Sequence, residues 1–283
     1  MIKNPLITII GPGVMGEAML TGLLRVGLTL QERIRISGPE LDRNAELEAR
    51  HKVCAFSENH KAVENADAVI LSVKPQRIQP VMAGLRGYIP AQALVLSIVA
   101  GTSIETLSAG LNHGSIVRAM PNTPAQIGQG ITVWTSSIKV AGAQMDLARN
   151  ILHALGPEIY MEEESYLDMA TALSGSGPAY VFLFLEALID AGVHLGFQRR
   201  IAEQLVIQTV RGSVEYYSQK TEHPAHLRNE VTSPAGTSAA ALYYLEKAGF
   251  RTAISRAIWA AYERSQELGK GRHSQPPERL QSE

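Results

Sequence analysis

An apolar run, Leu6-Ile7-Thr8-Ile9-Ile10, leads straight into Gly11-Pro12-Gly13-Val14-Met15-Gly16 and then into a helical pattern. Glycines at this spacing each do a separate job. The first permits a tight turn, the second lets the backbone approach a pyrophosphate, and the third lets the helix pack closely on the strand. The helix start adds free N–H groups and a partial positive charge that favour phosphate. The motif points to dinucleotide binding; a glycine-rich turn without a ligand is the plainer alternative.

The end of the second expected strand, Ile36-Ser37-Gly38-Pro39-Glu40, bears on which nicotinamide cofactor is bound. An acidic residue at the tip would bind ribose hydroxyls and repel a 2′-phosphate. None stands there, and Ser37, the Gly38 N–H and Arg43 offer phosphate ligands, so NADPH is favoured over NADH, with Glu40 close enough to support NADH. Three more loops leave the same edge: Ser72-Val73-Lys74-Pro75-Gln76, Ile98-Val99-Ala100-Gly101-Thr102 and Arg118-Ala119-Met120-Pro121-Asn122-Thr123-Pro124. Polar and small residues at the carboxyl ends of parallel strands fit a cofactor site. Further along, Glu230-Val231-Thr232-Ser233-Pro234-Ala235-Gly236-Thr237-Ser238 enters a helix of small residues. Its hydroxyls, flexible glycine and helix start suit a carboxylate, but they suit a plain capped helix equally well.

The elements that must position these groups follow from the hydrophobic pattern. Strands are expected at Leu6–Ile10, Ile34–Ser37, Ala68–Val73, Leu94–Ile98, Ile116–Ala119 and Ile131–Trp134, with helical stretches such as Glu17–Val26 and Arg43–His51 between them. Alternation of this kind predicts a parallel sheet between helical layers, an α/β Rossmann domain over residues 1–160. From residue 161 to 270 the pattern is helical. Ser174-Gly175-Ser176-Gly177-Pro178 opens a helix to about Leu195 that is apolar nearly all round, hence buried in a core or a subunit interface. Further helices are expected at Arg199–Ser218, Ser238–Ala248 and Phe250–Leu268, and residues 271–283 are expected to form a disordered tail.

The 283 residues suit two domains, and 45% hydrophobic with 19% charged residues is ordinary for a globular chain. A net charge of -1 speaks against nucleic-acid binding and gives no attraction to an anionic membrane. The stretch Ala179–Leu195 is interrupted by Glu186, Asp190 and His194, so no membrane span is expected, and the protein is expected to be soluble and cytoplasmic. The single cysteine, Cys54, lies in an apolar stretch and is read as a buried hydrophobe rather than a reactive thiol. The eight histidines show no metal-ligand spacing, so no metal is expected.

Taken together, Gly11–Gly16, Val73–Gln76, Met120–Pro124, Leu173–Tyr180 and Val231–Ser238 resemble the pyrroline-5-carboxylate reductase family, in the right order from about Ile7 to Leu268. The resemblance implies a Rossmann domain followed by an all-α dimerisation domain, an obligate homodimer, and often a decamer of five dimers. It implies reduction of a small cyclic imino acid, 1-pyrroline-5-carboxylate, to L-proline by NAD(P)H. The cofactor would lie along Gly11, Pro12, Gly13, Val14, Met15, Ser37, Gly38, Pro39, Asn59, Val73, Lys74, Pro75, Ala100, Gly101 and Asn122, with Glu164 nearby. The substrate would sit on Ser233, Gly236, Thr237 and Ser238, with Glu230 close and the partner subunit completing the site; Ser238 and Thr237 would act on the reacting ring.

This chain departs from the family in two places. Ala235 replaces the first of two glycines, which would strain the loop if the position has positive φ, and Ser238 replaces a threonine while keeping the hydroxyl. Hydroxyacid dehydrogenases share the fold but usually carry a lysine or histidine where this chain has Ser174–Tyr180. An imine reductase with another substrate, and a dinucleotide sensor, also remain as alternatives.

Overall fold

The computed structural model describes residues 2–269, so the expected tail at 271–283 lies outside the described residues. The chain forms two compact units, one of residues up to Gly177 together with the segment from Ala260, the other Pro178–Trp259.

The first unit is built on an eight-stranded sheet: β1 (Ile7–Ile10), β2 (Ile34–Ser37), β3 (Cys54–Phe56), β4 (Ala68–Leu71), β5 (Leu94–Ser97), β6 (Ile116–Met120), β7 (Thr132–Ser136) and β8 (Glu158–Tyr160). Its order is β3-β2-β1-β4-β5-β6-β7-β8, parallel throughout except where β7 runs antiparallel to β6. Strands β1, β4 and β5 are buried at every residue, and their alternate side chains feed two separate cores. Ile9, Ile70 and Leu96 point into one, and Ile10, Val69 and Val95 into the other. That period of two is what converts a continuous apolar run into a strand covered on both faces. Helices α1 (Val14–Arg25), α2 (Leu41–His51), α3 (Asn59–Ala62), α4 (Ile78–Leu85), α5 (Ile104–Leu111), α6 (Gly142–His153) and α7 (Tyr166–Ala170) complete this unit with the end of the last helix.

Two expectations are corrected here. Cys54 is exposed, because it lies on the short edge strand β3 rather than in the core. The motif Ser174–Pro178 does not open a separate helix. Residues Thr171–Gly175 form a π-helical turn that joins α7 to α8 (Gly177–His194), and the Ser174 hydroxyl donates to the Ala170 carbonyl at 2.9 Å. Gly175 is needed for a different reason, since a methyl there would stand 2.7 Å from Met120 Cε.

The second unit holds most of α8, then α9 (Arg199–Ser218), α10 (Pro224–Glu230), α11 (Thr237–Lys247) and the start of α12 (Phe250–Gly269). No residue of α8 is buried within the chain, and Phe182 and Leu183 are 62% and 67% exposed. Of the two burials expected for this helix, the chain's own core is excluded. The helical run Tyr166–His194 is also long and apolar enough, by length and composition, to cross a bilayer, a longer run than the interrupted Ala179–Leu195 stretch suggests.

One buried ionic cluster ties the carboxyl edge of the sheet together. Arg118 of β6, 5% exposed, donates to Glu164 at 2.9 Å and to Asp168 of α7 at 3.1 Å. Glu164 also accepts the Ile104 N–H at the start of α5, and Asp168 the Ser265 hydroxyl of α12. Breaking a fully buried pair costs roughly 3–5 kcal/mol. Because the two carboxylates are 31% and 22% exposed, Arg118→Ala should cost less, about 2 kcal/mol, read as a lower urea midpoint. An unchanged midpoint would show that water replaces the guanidinium without loss.

Candidate functional site

The turn after β1 shows why glycine recurs in it. Gly11 has φ +90°, and a methyl there would meet the Ser72 carbonyl oxygen at 2.9 Å and Val73 Cγ1 at 2.6 Å. A methyl at Gly16 would stand 2.5 Å from the Gly11 carbonyl oxygen, whereas one at Gly13 would meet nothing within 4 Å. So Gly11 makes the turn, Gly16 seats α1 on β1, and Gly13 faces open space at the N-cap of α1. That open space is a cavity of about 810 Å³ at the carboxyl edge of β1, β2 and β4.

Gly11, Pro12, Gly13, Val14, Gly38, Pro39, Asn59, Val73 and Lys74 all line it, as do Glu40 and Arg43. Ser37 does not. Its side chain is fully buried and its hydroxyl donates to Asn59 Oδ1 at 2.8 Å, so it orients Asn59 instead of offering itself to a phosphate. Gly38 is there for space: a methyl on it would lie 2.8 Å from Pro12 Cδ. Met15 packs on the core, Pro75 opens a 3₁₀ turn, and Asn122 spends its amide oxygen on the Ile131 N–H at 3.0 Å. Ala100-Gly101 forms the turn after β5, where a methyl on Gly101 would lie 3.0 Å from Gly269 N at the end of α12. Glu164 is held by Arg118 and Ile104 and lies outside the cavity.

Asn44, Ser57, Arg77, Pro80 and Val81 also line the cavity and escaped sequence reasoning, as did the state of two polar atoms. Ser72 Oγ and Asn44 Oδ1 are buried with no hydrogen-bond partner among the described residues. Ser72 sat in a loop already marked by its neighbours, but only packing reveals that its hydroxyl is orphaned. Asn44 lies inside a helix, with its Nδ2 given to the Gly38 carbonyl at 2.9 Å, and no pattern marks it. Orphaned polar atoms beside an open glycine cradle fit a bound dinucleotide.

The Arg43 guanidinium is matched by Glu17 and Glu46, and its hydrogen bond with Glu46 raises its pKa while lowering that of Glu46. Arg50 pairs with the same two carboxylates.

In the helical unit, Gly236 N donates to the Ser233 carbonyl at 3.0 Å, closing a turn with Pro234 and Ala235 at its centre. Ala235 has φ +59°, the position that a type II turn reserves for glycine. Gly236 caps α11, and a methyl on it would stand 2.4 Å from Ser233 Oγ. The N–H groups of the first turn, including those of Thr237 and Ser238, are left over by helix geometry. Among the described residues, the hydroxyls of Ser233, Thr237 and Ser238 make no protein hydrogen bond. Glu230 ends α10 with its carboxylate 3.3 Å from His226 Nε2.

A family model described as pyrroline-5-carboxylate reductase dimerisation matches residues 164–268, and one described as NADP oxidoreductase coenzyme F420-dependent matches 6–101. The chain is 42% identical over 262 residues to the pyrroline-5-carboxylate reductase of Synechocystis, covering 93% of this chain and 97% of the other. The chain belongs to the pyrroline-5-carboxylate reductase family. The reductase of Pseudomonas aeruginosa is 37% identical, over 95% of this chain and 98% of the other. Among solved structures, Plasmodium falciparum pyrroline carboxylate reductase with NADP bound aligns at TM-score 0.88 and 31% identity, over 95% of this chain and all of that one. The family's Rossmann and helical dimerisation domains are thus both present.

Gly13→Val should leave the fold stable, because nothing stands within 4 Å of the added Cβ, yet fill the space that a cofactor pyrophosphate would need. A fluorescence titration should show NAD(P)H affinity lowered at least about tenfold; unchanged affinity would remove this loop from the site. Ala235→Gly should raise stability by about 1 kcal/mol, because a left-handed alanine carries a cost that glycine does not. A lower urea midpoint would show that the unfolded-chain entropy of glycine outweighs the relief of strain.

Proposed function

We infer that this chain is an NAD(P)H-dependent pyrroline-5-carboxylate reductase, converting 1-pyrroline-5-carboxylate to L-proline in the last step of proline biosynthesis. The observation that carries the reading is the pairing, in one family member, of an open Gly13 cradle with orphaned polar groups and a loop of unpartnered hydroxyls at the start of α11.

When bound, NAD(P)H supplies the hydride, which goes to the carbon of the C=N bond while the ring nitrogen holds a proton. The protein's part is to hold and orient. Gly13 leaves room for the pyrophosphate at the start of α1, and Lys74, Ser72, Asn59 and Asn44 line the same cavity with charge and hydrogen-bonding capacity. Free N–H groups of Thr237 and Ser238 hold the substrate carboxylate, with Ser233 and Gly236 shaping the turn and Glu230 flanking it. The Ser238 hydroxyl hydrogen-bonds the ring nitrogen. No histidine or lysine acid is required, since a protonated imine is already a strong electrophile.

The wider reading includes a cofactor-binding domain over 1–160, a dimerisation and substrate domain over 161–270, and a cytoplasmic homodimer that further assembles as a decamer. The homodimer is supported by the exposed apolar side chains of α8, α9 and α11, which suit a second copy of the chain. NADPH is the favoured reductant, because β2 ends at Ser37 without an acidic residue at its tip.

Purified protein should oxidise NADPH on addition of pyrroline-5-carboxylate and yield proline. Ser238→Ala should lower kcat/KM by roughly one to two orders of magnitude, the worth of a hydrogen bond to a charged group, and leave cofactor affinity intact. Thr237 is adjacent and offers a second hydroxyl, so the decisive variant changes both residues to alanine. If that protein folds, binds NADPH and turns over at the wild-type rate, the loop is only a helix start and the substrate sits elsewhere.

A further inference from the structure

The cationic groups around the dinucleotide cavity are not equivalent. Lys74, Arg77 and Arg43 all line it, and Glu40 lines it as well. Of these three cations Arg43 stands nearest the end of β2 in sequence, and it is paired with Glu17 and Glu46. Its charge is already answered by those two carboxylates, which it shares with Arg50. The hydroxyl nearest the same place, Ser37, is fully buried and given to Asn59. Gly38 offers backbone only, since even a methyl there would meet Pro12 Cδ at 2.8 Å. The end of β2 therefore has no free cation of its own, and Glu40 adds a negative charge beside it.

Arg77 differs. It ends the 3₁₀ turn that follows β4, lines the cavity beside Pro80 and Val81 from the first turn of α4, and has no carboxylate partner among the described residues. Lys74 is equally unpaired, but it adjoins Val73, which packs on Gly11, and so belongs to the turn over the pyrophosphate. Strand β1 alone separates β4 from β2, so the ends of those strands lie about 10 Å apart, across which a long side chain can lean.

We propose that Arg77 is the cofactor-selecting residue of this protein, its guanidinium supplying the counter-charge for the 2′-phosphate of NADPH against the opposing Glu40. The proposal rests on the dinucleotide reading of the cavity and adds the residue that decides between its two forms. A guanidinium presents a planar fork of donors that matches phosphate oxygens, whereas a 2′-hydroxyl gives it little to hold.

The test is direct binding, by nicotinamide fluorescence and calorimetry, of NADPH, NADH, adenosine 2′,5′-bisphosphate and 5′-AMP. Arg77→Ala should weaken NADPH and the bisphosphate roughly ten- to hundredfold while NADH and 5′-AMP change less than about threefold. Arg77→Lys, which keeps the charge without the fork, should fall between. Arg43→Ala should leave the ratio of the NADPH and NADH affinities unchanged. Equal losses for both dinucleotides on Arg77→Ala, or no loss, would overturn the proposal, as would a change of ratio confined to Arg43→Ala. A wild-type protein that bound neither dinucleotide would instead sink the cofactor reading itself.

Discussion

Helix α1 can approach β1 as closely as it does only because residue 16 has no side chain; a methyl would stand 2.5 Å from the Gly11 carbonyl oxygen. The carboxyl edge of the sheet takes its form from that contact. Gly11 in turn is pressed against the Ser72 carbonyl, so the turn after β1 and the end of β4 meet with no Cβ between them. Gly38 extends the same packing toward β2 through Pro12. Three close approaches thus gather three strand ends under the N-terminus of one helix. The chain order reverses there, with β2 on one side of β1 and β4 on the other, and such a reversal opens a crevice. The cavity is a result of backbone proximity first and of polar side chains second.

The helical unit obeys the opposite constraint, having too few neighbours rather than too many. Among its helices burial is slight: Ala202 of α9 is buried, where a methyl on Gly192 would meet its Cβ at 3.0 Å. Phe182, Leu183, Val214, Tyr243 and Tyr244 remain more than half exposed within one chain. Each large apolar side chain left in water forgoes roughly 1.5–3 kcal/mol. A surface of that kind is a demand for a second surface, and the dimerisation family to which residues 164–268 belong provides the chemical class of the answer.

Much of this was legible in the sequence, for identifiable reasons. Strands β1, β4 and β5 are apolar on both faces, and their runs end in glycine, serine or lysine loops that cannot continue a strand, so type and approximate position follow. The three glycine roles at 11, 13 and 16 follow from spacing alone. Side-chain direction did not. Ser37 reads as a phosphate ligand because of its place in the chain, but only the fold shows that it points at Asn59. Cys54 sits among apolar neighbours and yet lies on an edge strand. The motif Ser174–Pro178 carries serine and proline in capping positions, and its proline, in the first turn of α8, leaves the helical run unbroken through the π turn. Asn44 carries no local signal, and Arg118 stands in a loop that the sequence marks, but its partners Glu164 and Asp168 lie 46 and 50 residues away.

The loop before α11 shows how strain and placement are linked. The Ser233–Gly236 turn is closed by one backbone hydrogen bond, with proline fixing the φ of its second residue. The third must then take a left-handed conformation to bring the chain back, and here it is an alanine at φ +59°. Gly236 cannot absorb the conformation in its place: its own φ is −79°, and its missing side chain is already required beside Ser233 Oγ. The strain is therefore confined to one residue with a small side chain, where it costs on the order of 1 kcal/mol. What it secures is direction. With Pro234 and Gly236 fixing either side, the N–H groups at the start of α11 and the hydroxyls of Thr237 and Ser238 are presented together, unpaired, on a turn that has little freedom to rearrange. A backbone N–H fixed in this way has less conformational entropy left to lose than one on a mobile loop, so it is the turn that sets the direction in which α11 begins.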